Sequence, residues 1–339
     1  MGWIALSVVV LFQGLRWRTG TDWIPHYEWF SYANTNSEMT DVEPGYLYLN
    51  KVIALFTKNY TVFLLISCFL NLWLVRRFAR YLGIDNIAAI ILVTFSGAIF
   101  PVRIQLAVSI FLQAYQYIIE KKFLKYLLVV LLAASFHGAA LITIPFYLIA
   151  IRSFSYKELI SIYVISCLVG FSVTPVLEGL NAFFSLGVFE SSDYAVEKIN
   201  GNFEYASQAE ASSFTSMLMS LINGAFFISL FGLIRNKYYR NIWAYDVLFS
   251  LYVFGLSFNR IVINAMPYLS RVAAFFAGGF SVMLLLWIGK QKKEIRLILV
   301  CIMAVYYFFI YRRILIGELS DLFIPYYSIF SDGQRPSVY

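Results

Sequence analysis

FLKYLLVVLLAASFHGAALITIPFYLIAI, residues 123–151, decides how the rest of the chain is threaded. The stretch reads either as one long apolar span or as two short helices broken at Phe136-His137-Gly138. Loop charge separates the two. Basic clusters follow the apolar runs 60–75 (Arg76, Arg77, Arg80), 104–119 (Lys121, Lys122, Lys125), 214–234 (Arg235, Lys237, Arg240) and 271–289 (Lys290, Lys292, Lys293). Cytoplasmic loops are the ones enriched in Lys and Arg, so all four clusters share that side. An even number of crossings must then lie between the Lys121 and Arg235 clusters, and the runs 158–178 and 214–234 already supply two. Residues 123–151 therefore return to their own side as a helical hairpin with His137 at its tip. Arms of roughly 14 residues rise only about 21 Å, at 1.5 Å per residue.

Outward from this hairpin, further apolar runs lie at 85–100, 243–263 and 296–311, against the roughly 20 apolar residues that a span needs. Trp3 to Leu15 is short, but it lacks the basic leader and small-residue cleavage site of a signal peptide and is expected to be a first span. The expectation is an all-α, polytopic integral membrane protein of about ten to eleven transmembrane or re-entrant helices, forming a single transmembrane domain over 1–339. Residues 16–59 form an extracytoplasmic loop, in which Tyr46, Leu49, Ile53 and Phe56 repeat at helical spacing and predict an interfacial helix from Pro44 to Thr57. Residues 179–213 form a second, acidic outer loop with Glu190, Asp193, Glu197, Glu204 and Glu210.

Composition agrees. Of 339 residues, 60% are hydrophobic and only 13% charged, about half the charge of a soluble domain, which excludes an ordinary cytosolic enzyme. The excess of Lys+Arg (26) over Asp+Glu (19) is loop charge that orients spans, so nucleic acid is not an expected partner. Cys68, Cys167 and Cys301 all fall in apolar runs without a Cys-x-x-Cys pair, which points away from a disulfide framework or a zinc site.

The informative residues are cations that the orientation rule does not place. Arg16 and Arg18 follow the first span, Arg103 opens the 104–119 helix beside Gln105, and Arg260 and Arg271 flank the turn around Asn264-Ala265-Met266-Pro267. All map to the outer half, where buried cations face a cavity and a partner. Several guanidinia at one depth fit an anionic ligand, since each binds phosphate oxygens through a planar fork and stays charged. For Arg16, snorkelling to lipid headgroups is an equal alternative; Arg260 is equally suited to pairing with Asp246 or the acidic loop. Arg271 precedes a small-residue run (Ala273, Ala274, Ala277, Gly278, Gly279) that would draw it into a bundle.

Three groups are candidates to move a proton. His137 lies at the hairpin break, Asp22 in Arg16-Trp17-Arg18-Thr19-Gly20-Thr21-Asp22-Trp23, and Glu43 ahead of Pro44. Asp22 is a general base or a partner for Arg16 or Arg18, and Glu43 is a base or a cap at the positive end of the interfacial helix. Trp17, Trp23, Tyr27 and Trp29 suit stacking on sugar rings or anchoring at the interface. His26, beside Pro25, is expected to be a solvated loop residue.

Arg18-Thr19-Gly20-Thr21-Asp22-Trp23 with Tyr27, then Glu43-Pro44-Gly45-Tyr46, resembles the first loop of the EpsG family of Wzy-type polysaccharide polymerases. The likeness continues through Arg103, through Ala133-Ala134-Ser135-Phe136-His137-Gly138-Ala139-Ala140-Leu141-Ile142 ahead of Pro145, and to Arg271. The resemblance implies an inner-membrane glycosyltransferase of GT-C-like architecture. It would join undecaprenyl-pyrophosphate-linked oligosaccharide repeats, donor and acceptor both lipid-linked, on the outer face of a bacterial membrane. No cofactor and no metal are implied, and a chain-length regulator is a possible partner. Arg103 and Arg271 would be the chief ligands of the donor pyrophosphate, assisted by Arg16, Arg18, Tyr27, Gln105 and Arg260, with Asp22, His137 or Glu43 as base. Two rivals keep the same donor chemistry: an O-antigen-type ligase, and a flippase or transporter of lipid-linked oligosaccharide. The absence of internal symmetry weighs against the latter.

Overall fold

Asn59 begins the first long span by accepting a hydrogen bond from the Thr61 amide (2.9 Å), an N-cap that satisfies one orphan donor of the helix Tyr60–Tyr81. Its far end closes on Gly83, whose φ of 78° lies in the left-handed region; Gly83 N donates to Arg80 O and Ile84 N to Ala79 O, both at 2.9 Å. In the computed structural model the described residues are 2–20, 22–35, 42–84, 102–171, 214–264, 267–316 and 320–331. The expected span at 85–100 and the acidic loop 179–213 lie outside them.

The described residues form helices without strands, and they group into two compact units: 1–144 with 284–339, and 145–283. In the first unit α1 spans Gly2–Gly14, α2 Trp23–Thr35, α3 Pro44–Ala54, α4 Tyr60–Tyr81, α5 Arg103–Leu112, α6 Ala114–Ile119 and α7 Phe123–Ala134, followed by a 3-10 helix Gly138–Thr143. In the second, α8 is Phe146–Ala150, α9 Tyr156–Phe171, α10 Phe214–Tyr238 and α11 Trp243–Val262, with a 3-10 helix Pro267–Ala273. The chain continues through α12, Ala274–Gly289, and α13, Lys293–Leu315.

Among the described residues, three helices are long and apolar enough to cross a membrane: Tyr60–Tyr81, Leu218–Tyr238 and Leu269–Gly289. Shorter ones share their reversed patterning. α7 buries Tyr126, Val130 and Ala133 and exposes Leu124, Leu128, Leu131 and Leu132, and α1 exposes Ile4, Val8, Leu11 and Phe12. Such continuous apolar exteriors suit hydrocarbon rather than water.

The 123–151 stretch does break at Phe136-His137-Gly138, but its second arm is not the expected 14-residue helix. It is the 3-10 helix and the five-residue α8, because Pro145 has no N–H to continue a ladder. The Tyr126 hydroxyl crosses the hairpin to donate to Thr143 O at 2.6 Å, holding the 3-10 segment against α7. The run 104–119 divides at Gln113, whose side-chain amide donates to Leu74 O (2.9 Å) and Ser109 O (3.1 Å). The interfacial helix ends at Ala54 rather than Thr57, leaving Leu55 and Phe56 exposed.

In the second unit α9 and α11 approach until a Cβ on Gly170 would meet the Arg260 carbonyl, and Asn264 Nδ2 donates to Gly170 O at 3.0 Å. Asp246 is not the partner of Arg260: it pairs with Arg235 Nε at 2.6 Å, and Arg235 Nη1 also reaches Phe154 O. One turn at the start of α11 and the end of α10 places these two charges side by side, whereas Arg260 lies four turns further along α11.

Candidate functional site

The site begins with Gly45. Its amide and that of Tyr46 both donate to Ser135 O, at 2.7 and 3.2 Å, so the start of α3 docks on the carboxyl end of α7. A Cβ at position 45 would clash with Ser135 Oγ; only glycine admits this approach. Two segments about 90 residues apart, Glu43-Pro44-Gly45-Tyr46 and Ser135-Phe136-His137-Gly138, are thereby clamped together.

The clamp presents Glu43. Although Glu43 occupies the N-cap position of α3, its side chain makes no capping bond, so the expected cap is not what it forms. Its Oε2 accepts from Arg103 Nη1 at 2.8 Å and its Oε1 from the Gly138 amide at 3.3 Å. Arg103 is the first residue of α5, and its guanidinium also lies over the Trp29 ring at 4.9 Å. Glu43 and Arg103 retain 26% and 23% exposure, so the pair is held yet reachable.

Behind Trp29 stands a group that the sequence alone misplaced. His26 is not a solvated loop residue: it is 4% exposed, on α2. Pro25 signalled a loop, but proline in a first helical turn removes only an N–H that has no partner there. His26 Nδ1 and the Tyr46 hydroxyl share a 2.8 Å hydrogen bond, and both rings meet Trp29 edge to face. Burial pushes the His26 pKa down to about 3, with the charges of Arg103 and Arg16 adding to it, so the imidazole is neutral at physiological pH. The same burial raises Tyr46 well above the ordinary phenol.

His137 is 3% exposed and caps the 3-10 helix, its Nδ1 accepting from the Ala139 amide at 3.3 Å. Asp22 is exposed at the start of α2, where its carbonyl accepts from His26 N. Arg16 is 2% exposed and its main chain forms an isolated antiparallel β-bridge with Ser328; its burial lowers its pKa from the usual guanidinium value. Arg18 holds φ at 45°, a left-handed conformation costly for a non-glycine residue. Thr19 anchors this turn, its hydroxyl bonded to Trp17 O and Tyr327 O, while Gly20 N donates to Leu322 O at 2.7 Å. Tyr27 stacks on Trp23 and meets Tyr60 edge-on, within an aromatic cluster that includes Phe30 and Phe63. Gln105 lies half-buried on α5.

Of the expected residues, the first unit thus brings Glu43, Arg103 and the His137-Gly138 turn into one constellation. Arg260 and Arg271 belong to the second unit; Arg260 is half-buried beside Tyr163, and Arg271, on the 3-10 helix, is exposed rather than drawn into a bundle. Among the described residues no three His, Cys, Asp or Glu side chains cluster as metal ligands do.

No curated protein and no solved structure matches the chain. The EpsG family model matches residues 2–328, nearly the whole length, and covers every segment that builds the constellation; the chain belongs to the EpsG family.

Proposed function

We propose that the protein is a polysaccharide polymerase of a bacterial inner membrane, with a GT-C-like helical scaffold, joining undecaprenyl-pyrophosphate-linked repeat units on the outer face without a metal. The observation that carries this reading is the three-way contact of Glu43, Arg103 and the Gly138 amide, walled by Trp29. A partly exposed guanidinium and a backbone N–H that already share one carboxylate are equally suited to phosphate oxygens.

In the proposed reaction the donor pyrophosphate competes with Glu43 for Arg103. The acceptor hydroxyl attacks the anomeric carbon, the bond to the pyrophosphate oxygen breaks, and Arg103 takes up the charge left on the leaving group. Glu43, released from its ion pair, accepts the proton from the acceptor hydroxyl. The neutral His26 and Tyr46 position Trp29 and stay out of the proton transfer. His137 holds the turn that presents the Gly138 amide, a positioning role, and Arg16 supplies positive potential from behind.

The test is incubation of the purified protein with a lipid-linked repeat unit, with products resolved by length. A ladder supports the polymerase. One shifted band overturns it in favour of a ligase, and no product overturns it in favour of a transporter.

A further inference from the structure

The last two turns of α4 carry Arg76, Arg77 and Arg80, which with Trp73, Gln113 and Gln116 line a cavity of about 450 Å³ with no carboxylate among the described residues of its lining. Glu120, beyond the end of α6, is held by Gln116 Nε2 and Lys122 Nζ at 2.8 and 2.7 Å and is not part of the wall. Loop charge that orients spans accounts for three cations at this end. It does not account for the recess between α4 and the α5–α6 pair into which they open.

The face of α4 that leads into the cavity narrows the choice of ligand. Ile66, Phe69 and Trp73 are exposed, and spacings of three and four continue the same stripe to Arg77 and Arg80, which are exposed too. An apolar track therefore runs along the helix and ends in two guanidinia at the mouth of the cavity. A soluble phosphate would use the arginines and leave the track without purpose; a lipid uses both, its acyl chain along the track and its phosphodiester among the arginines.

We propose that this cavity binds the phosphodiester headgroup of an anionic membrane lipid, at a site separate from the Glu43–Arg103 constellation. The probes are phosphatidylglycerol, phosphatidylcholine and soluble glycerol phosphate, titrated onto the purified full chain in detergent and read by native mass spectrometry. Phosphatidylglycerol is expected to bind and phosphatidylcholine not. Each cation contributes about fivefold to headgroup affinity, so Arg77→Gln with Arg80→Gln should weaken phosphatidylglycerol about twentyfold or more. Arg77→Lys with Arg80→Lys should keep most of the affinity, and thermal unfolding of both variants checks that each is folded. Trp73→Ala should weaken the lipid and leave glycerol phosphate unchanged. Equal binding of the two lipids, or undiminished phosphatidylglycerol binding by the folded double glutamine variant, overturns the site. Glycerol phosphate binding as tightly as the whole lipid overturns the lipid as its source.

Discussion

Replacing Arg103 by Lys keeps a positive charge at the start of α5 but loses the planar fork. In the structure that fork does two things at once, bonding Glu43 at 2.8 Å and lying over Trp29 at 4.9 Å. A lysine ammonium is a compact point charge that satisfies one of these contacts at a time. The structural loss is small: a pair about a quarter exposed on each side contributes up to about 1 kcal/mol, and the stacking about 0.5–1 kcal/mol. The loss in reaction rate is larger if the fork holds the leaving pyrophosphate, since removing one such donor costs about 10²–10³-fold, or roughly 3–4 kcal/mol. The assay is polymer length and initial rate per folded molecule, with folding measured separately by thermal unfolding. Arg103→Lys should lower the rate by two to three orders of magnitude, in line with the cost of a lost charge-stabilising donor, while the folded population stays near wild type. A rate per folded molecule within a few-fold of wild type would refute the assignment and leave Arg103 as a structural tie between α2, α3 and α5.

Glu43→Gln should reduce chain extension by about 10²–10⁴-fold whereas Asp22→Asn should leave it near wild type; the opposite ranking transfers the base to Asp22. His137→Asn keeps a capping acceptor and should retain activity, while His137→Ala should lose about 1 kcal/mol of stability; an inactive but folded asparagine variant would give the imidazole a chemical role. Gly45→Ala forces a methyl group against Ser135 and should destabilise by about 1–3 kcal/mol, with partial recovery in Gly45→Ala/Ser135→Gly; a neutral single variant would show that the clamp yields. His26 is held neutral in the fold at a pKa of about 3 against 6.5 for the free side chain, so the unfolded chain binds more protons in that window. Stability should therefore fall as pH drops from about 6.5 toward 3, by roughly 3–5 kcal/mol in all, and thermal unfolding of His26→Asn should lose that part of the slope.

Hydropathy and loop charge made the helical class legible, and the break at Phe136-His137-Gly138 followed from counting crossings. Where that count went astray was in the second arm, because crossing parity constrains the side of return and not the kind of helix that makes it. Arg103 stood out as a cation in the outer half, and Glu43 as one of three carboxylate or imidazole candidates. That the two touch was not visible, since they are 60 positions apart and lie on different helices. His26 was hidden by Pro25; a first-turn proline followed by His26, Trp29 and Phe30 at helical spacing is the signal that would have found it.

The turn at Arg16 to Gly20 is fastened by residues Leu322, Tyr327 and Ser328, Thr19 and Tyr327 being 308 positions apart. During synthesis this loop leaves the ribosome about 300 residues ahead of the segment that secures it and waits for that segment until nearly every described helix has been made. Maturation of the fold is thereby tied to completion of its own translation, and a polypeptide released early would carry this loop unlatched.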